Sequence, residues 1–278
     1  MPINDTYTIP APVIKFLLEG ERSFLALRLV HGLLYAIHSS LRGNMSIVPA
    51  QFPKEHAVRT SSLAAAVGPE KCKDNRWLHT ACQDLVDQNI FKSIKIEGRR
   101  LRFSLSAKFL TSFSDKSKAF AIMHTDQVRE CHTLHDLMFL SLACLHGGKD
   151  RPKFYLPRLP MRLEMPETQF SIMPRTQPEQ AAWRNSWSKS NRSWIKAAVR
   201  ISKLLDQNYL IGPQQDLIDD FVTSVAVKIQ HQDTRWERNR LYKFEAGTRG
   251  VIEICACGRK TVLNARAFQH KIHQTEIR

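Results

Sequence analysis

Two amphipathic segments of this 278-residue chain leave the helical period through the same three residues. Leu85-Val86-Asp87-Gln88-Asn89-Ile90-Phe91 and Leu204-Leu205-Asp206-Gln207-Asn208-Tyr209-Leu210 both pass through Asp-Gln-Asn into an apolar strand start. A helix that must stop there and turn into a strand restricts the units it can join. The elements before the first copy are legible. Ser23 reads as the N-cap of a helix to Arg42, with Phe24, Leu27, Val30, Leu34, Ile37 and Leu41 on one stripe and Gly43-Asn44 as its stop. A β-prone piece over 45–48 follows. Next comes a small-residue helix over 62–67, capped by Thr60 or Ser61 and stopped at Gly68-Pro69, then a third helix over 74–88 with Leu78, Ala81, Cys82 and Leu85 inward. The period then falls to 2. Residues 91–96 and 101–105 alternate apolar with polar about Glu97-Gly98-Arg99-Arg100, which reads as a β-hairpin with two arginines by its tip.

Helix, short strand, helix, helix, hairpin is the order of a winged helix, a helix-turn-helix variant with an added β-ribbon. The second half repeats much of it. A helix over 134–146, with Leu137, Met138, Leu142 and Leu145 inward and Gly147-Gly148 as its stop, precedes a β-prone piece at 153–156 and a Pro-bounded segment at 160–165. The expectation is an α+β fold of two tandem winged-helix domains. It divides into an N-terminal extension (1–22), a first domain (23–116), a second domain (117–260) and a basic tail (261–278). Beyond Leu210, residues 222–229 fit either a strand or a helix, while 241–246 and 251–257 look like strands; either set is a candidate second wing.

Charge narrows the class of partner. Lys and Arg number 41 against 26 acids, a formal charge of +15. Residues 1–113 hold 15 basic and 9 acidic side chains and residues 114–278 hold 26 and 17, so both halves are basic. A polyanion is the simplest partner, nucleic acid ahead of a membrane surface. No apolar run approaches the roughly 20 residues of a membrane span. The first 22 residues lack a basic stretch ahead of their short apolar run, which argues against an export signal, and the scattered cysteines read as reduced thiols in a cytoplasmic setting.

The cationic character is most concentrated over 183–208. Between Gln180 and Asp206 there is no acid. Wound as a helix, Trp194, Ala197, Ala198, Ile201, Leu204 and Leu205 make one apolar stripe, and Lys189, Arg192, Lys196, Arg200 and Lys203 line another side. Surface helices ordinarily mix both signs. An unbroken cationic row suits a rod of phosphates, with Asn191 and Ser193 near its N-terminal end to reach base edges.

Two basic winged helices in a chain of this length resemble the plasmid replication initiators that bind repeated origin sequences (iterons). The resemblance spans roughly residues 23–210, includes the join Leu105-Ser106-Ala107-Lys108-Phe109-Leu110 and the run Phe120-Ala121-Ile122-Met123, and rests on element order more than on motifs. It implies that Lys189, Asn191, Arg192, Lys196 and Arg200 read the major groove, with Lys203 toward the backbone. It further implies that Arg76, His79, Gln83, Arg99, Arg100 and Arg102 of the first domain contact DNA or a partner protomer. By the same resemblance the partners are double-stranded DNA, host replication initiator and replicative helicase, and a second copy in a homodimer. The acids Asp84 and Asp87 on the first domain's third helix depart from a base-reading surface, and the C-terminal third has no counterpart. A transcriptional regulator on an operator, built from the same modules, is the alternative.

Enzymatic readings are weaker. The 134–148 helix faintly resembles the one that carries an Arg and a His in tyrosine recombinases, yet Met138 and Phe139 follow Leu137, so the transition-state charge is absent. No His-x-His pair is present for a nickase metal, and Gly147-Gly148-Lys149 lacks the spacing of a P-loop. The expectation is no enzyme, no cofactor and no metal. Cys255, Cys257, His270 and His273 are the residual zinc set, with a cysteine spacing shorter than usual.

Overall fold

The computed structural model describes residues 5–19, 22–41, 53–69, 74–86, 88–113, 119–149, 152–156, 177–215, 222–231 and 251–264. The fold is α+β, with eight helices and three antiparallel sheets among those residues. None of these helices is long and apolar enough to cross a membrane. The chain divides into two compact units, residues 1–148 and 149–278.

In the first unit everything packs about one helix. β1 (Thr6–Pro10) and α1 (Ala11–Glu19) lead into α2 (Phe24–Ser40). Ser23 caps α2 by accepting the Ala26 N–H at 3.1 Å, as its position predicts. From Ala26 to Leu34 every α2 residue is buried, so this helix has no solvent face in its middle. The single stripe read from the sequence is therefore too narrow. A helix enclosed on all sides must satisfy its polar residues internally. Arg28 does so by donating to the carbonyls of Val67 at 2.6 Å and Arg129 at 2.7 Å.

His31 does so through a relay. The Ser141 hydroxyl donates to Leu137 O at 2.8 Å, which leaves its oxygen to accept from His31 Nε2 at 3.4 Å. His31 Nδ1 is then the acceptor for the Tyr7 hydroxyl at 2.8 Å. Burial lowers the His31 pKa to about 3 and raises that of Tyr7 well above its ordinary value, so both are neutral at pH 7.

These bonds join α2 to the ends of the unit. α3 (Thr60–Val67) and α6 (Thr125–Arg129) supply the carbonyls, α7 (Leu134–Gly147) supplies Ser141, and β1 supplies Tyr7. β1 pairs antiparallel with β5 (Phe120–His124), placing Tyr7, Ile9, Ala121 and Met123 in the core. Residues 5–19 are thus part of the unit and not an extension, and the expected break at 116/117 is displaced to 148/149. The reason is visible in α7. Residues 136–143 are all buried, and an apolar helix without a polar side must sit inside a core. It finds that core against β5, α2 and α1. Thr133 and Asp136 close a capping box at its start.

The remaining elements of this unit are β2 (His56–Arg59), α4 (Arg76–Leu85), β3 (Phe91–Glu97), β4 (Arg100–Leu105) and α5 (Ala107–Thr111). The strands form a sheet in the order β2-β4-β3. Phe91–Glu97 and Arg100–Leu105 make the anticipated hairpin. At its tip Gly98 has φ +57 and Arg99 does not share the positive φ, the pattern of a type II′ turn. The strand anticipated at 45–48 falls outside the described residues.

The second unit contains, among its described residues, β6 (Lys153–Tyr155), α8 (Gln177–Leu204), β7 (Gln207–Gln215), β8 (Val222–His231), β9 (Val251–Ala256) and β10 (Arg259–Asn264). The strands form one antiparallel sheet in the order β10-β9-β7-β8-β6. Residues 222–229, open between helix and strand in the sequence, are strand because they pair along most of β7. The partner of β9 is β10, joined by the two-residue turn Cys257-Gly258 with φ of 48° and 74°. That is a type I′ turn, favoured between right-twisted strands. Residues 261–264, assigned to a tail, belong to β10, and 241–246 lie outside the described residues. The 160–165 segment also lies outside them, and the helix meant to open the repeated order belongs to the first unit.

Two outcomes follow from this packing. A Cβ at Gly32 of α2 would stand 2.5 Å from Val67 Cγ2 and 3.3 Å from Leu63 Cδ2, and Val67 is a stiff, fully buried neighbour. Gly32→Ala should destabilise the chain by about 1–3 kcal/mol in urea unfolding. His31 makes stability fall with acid. Between pH 6.5 and about 3 the unfolded chain binds a proton at this residue that the folded chain refuses. Wild type should lose about 2 kcal/mol more than His31→Gln between pH 6.5 and 5. Equal losses in the two proteins would remove His31 as the cause.

Candidate functional site

α8 separates its faces as the sequence predicts at four of six positions. Trp194, Ala197, Ala198 and Ile201 are buried, together with Ile195 and Ser202, whereas Leu204 and Leu205 are half-buried. Arg192, Lys196 and Lys203 are exposed, and Arg200, Asn191 and Ser193 are half-buried. The Lys189 side chain lies outside the described residues. Asn191 Oδ1 is shielded from solvent, without a hydrogen-bond partner among the described residues.

The C-terminal end of this helix is held by the sheet. Ser202 Oγ donates to Val199 O at 2.8 Å and accepts the Gly258 N–H at 3.0 Å. A Cβ on Gly258 would lie 3.4 Å from Lys203 Cβ and Cδ, so the lysine stem rests on the β9–β10 turn while its ammonium stays in water. Past Leu204 the chain reverses through Asp206 at φ +52, and after α4 it does so through Asn89 at φ +55. Both exits use Asp or Asn in the left-handed region, which these residues tolerate better than other non-glycine residues. The shared tripeptide thus places its left-handed residue at a different position at each site.

In the first unit, α4 buries Trp77, Leu78, Ala81, Cys82 and Leu85 and exposes Arg76, His79 and Gln83. Arg76 pairs with Asp74 just ahead of the helix, and hydrogen bonds from its side chain and backbone N–H lower the Asp74 pKa. Asp84, counted against a nucleic-acid surface, accepts the Ser23 hydroxyl at the start of α2. Its carboxylate is therefore drawn toward a helix N-terminus, where negative charge is favoured. Asp87 lies outside the described residues.

The hairpin's arginines divide into two groups. Arg102 forms an ion pair with Glu97, its Nε 2.8 Å from a carboxylate oxygen, and donates from a terminal nitrogen to Glu55 at 3.3 Å. Lys95 also pairs with Glu97, and that bond, followed by the charges of Lys95 and Arg102, lowers the Glu97 pKa. Arg102 is thus occupied by acids. Arg99 and Arg100 are exposed, with no ion pair among the described residues. The pairing of β2 with β4 places a further exposed arginine, Arg59, directly opposite Arg100. Sequence reasoning missed Arg59 because it sought the short strand at 45–48. The alternation His56-Ala57-Val58-Arg59, ending at the Thr60-Ser61 pair read as a cap, was the available signal; the N-cap of α3 is in fact Arg59, without a side-chain cap bond.

Cys255 is fully buried on β9 opposite Tyr209 of β7, and Cys257 is exposed in the turn. His270 and His273 lie outside the described residues. Among those that are described, no group of three or more His, Cys, Asp or Glu is placed to hold a metal ion. No protein-family model and no curated protein matches this chain.

The two environments give opposite thiol reactivities. In the folded protein Cys257 should react with iodoacetamide, while Cys255 should react only after unfolding, as read by peptide mapping. Equal native labelling of both would contradict the burial of Cys255.

Proposed function

We propose that the chain is a sequence-specific double-stranded DNA-binding protein, and that it acts as a plasmid replication initiator on repeated origin sequences. The observation that carries DNA binding is α8. Arg192, Lys196 and Lys203 are exposed along one side of a helix whose opposite side is buried, over a stretch without an acid. A cationic row with a packed back suits phosphates; α8 begins at Gln177, so Arg192 and Lys196 lie in the middle of the helix and not at the N-terminal end expected from the sequence. Support for a winged helix in the first unit is the order α2, β2, α3, α4, β3, β4 with the sheet β2-β4-β3. In the second unit it is α8 running directly into the β7–β8 ribbon. The initiator role rests on the resemblance in element order. Its partners on that reading are host replication initiator and helicase, with a second copy of the chain in a dimer, in a bacterial cytoplasm.

Footprinting the full-length chain on DNA flanking its coding sequence tests the function. Protection of direct repeats supports an initiator, protection of a lone inverted repeat supports a regulator, and no protected site rejects both. On the protected sequence, Arg192 and Lys203 should differ. Arg192 is one turn before Lys196 and can pair in bidentate fashion with a guanine, a contact worth about 1–3 kcal/mol of discrimination. Arg192→Ala should therefore relax specificity at one or two base pairs. Lys203→Ala should weaken all sequences slightly and alike. An Arg192→Ala protein that keeps the wild-type ranking of single-base variants would remove Arg192 as a reader.

A further inference from the structure

We infer that Arg59, Arg99 and Arg100 form one binding site for a phosphate group, which the DNA-binding reading above supplies as a backbone phosphate. Arg59 ends β2 and Arg100 begins β4, and the two are directly paired in register. Residues so paired have Cβ atoms about 4.5–5.5 Å apart, and like charges there are destabilising. Both side chains are exposed, on the solvent face that also carries Ala57, Arg102 and Glu97. Arg99 stands in the adjoining turn. It is fixed there because its carbonyl accepts both the Thr60 N–H at 3.0 Å and the Thr60 hydroxyl at 3.3 Å.

The nearby acids do not relieve this cluster. Glu97 lies opposite Arg100 in the register, yet its carboxylate bonds to Lys95 and Arg102, and Glu55 bonds to Arg102. Three arginines whose backbones meet at one corner are thereby left with no ion pair among the described residues. The same corner is the start of α3. Its N-cap, Arg59, supplies no side-chain acceptor, and Ser61 and Ser62 of the first turn are exposed. An oxyanion at this point meets three bidentate cations and the positive end of a helix. Arg102, named with the wing from sequence, is excluded from the site by its two carboxylates.

The test uses the full chain and two probes. The first is inorganic phosphate, compared with chloride at equal ionic strength in thermal unfolding. Wild type should show a higher midpoint in phosphate. Arg59→Gln should lose that increment and gain stability in dilute chloride, because the repulsion is relieved, whereas Arg102→Gln should keep the increment. An Arg59→Gln protein with the full increment would overturn the site. The second probe is duplex DNA titrated with salt. Arg59→Gln and Arg100→Gln should each lower the slope of log K against log salt by up to about 0.9, and the double variant by about the same amount, since one phosphate is shared. Losses that add to twice that value would assign each arginine its own phosphate and overturn sharing. Arg59→Lys, which keeps the charge, should restore most of the slope and excludes misfolding as the cause. A phosphate increment without DNA binding in wild type would overturn the nucleic-acid source while leaving the anion site. No increment in wild type would overturn the site itself.

Discussion

The first unit depends on burying α2 on every side. An enclosed helix gains apolar contact around its whole circumference but must satisfy each polar side chain from its neighbours. Arg28 and His31 meet that requirement by reaching α3, α6, α7 and β1. The same bonds fix where the neighbours stand. Arg129 adds a donation to Ala65 O at 3.2 Å, so two arginines serve carbonyls at the C-terminal end of α3, where the helix dipole favours positive charge. The core of this unit is therefore positioned by charge as well as by apolar area, and α3 in turn places the corner that holds Arg59.

The second unit uses a different device. Tyr209, Leu210, Ile211 and Gly212 are buried in succession along β7, so both faces of this central strand are covered. A sheet of that kind gives α8 a rigid support, and the β9–β10 turn secures the helix end through Gly258 and Ser202. The exposed cations of α8 are thus carried on a fixed element. Fixed placement matters for recognition, because a side chain that reads a base has to arrive within hydrogen-bonding distance of its edge.

Electrostatic sorting connects the two surfaces. On the three-stranded sheet, Glu55 and Glu97 are consumed by Lys95 and Arg102, and Asp84 is drawn to Ser23. On α8 there is no acid beyond Glu179 in its first turn. The routes differ but the result is alike: arginines and lysines facing solvent with no ion pair among the described residues. Total charge alone would not distinguish Arg102 from Arg100, although they are two residues apart on one strand. Their partners do.

The sequence by itself determined the local elements and the faces of the strongest helices. The Ser23 cap, the hairpin about Gly98, the inward residues of α4 and the Trp194, Ala197, Ala198, Ile201 stripe all follow from short-range periodicity and capping, which depend on neighbours within a few residues. What depended on distant partners was decided only by the tertiary structure. Residues 6–10 read as an extension because their strand partner is more than 100 residues away at β5. The helix over 134–147 read as the opening of a second domain because its one-stripe reading hid the all-round burial that ties it to α2. β10 read as a tail because its pairing with β9 rests on a turn, Cys257-Gly258, without the usual Asn or Asp. Arg59 became visible only through its register with Arg100, since strand pairing is set by long-range burial and not by the residues of one strand.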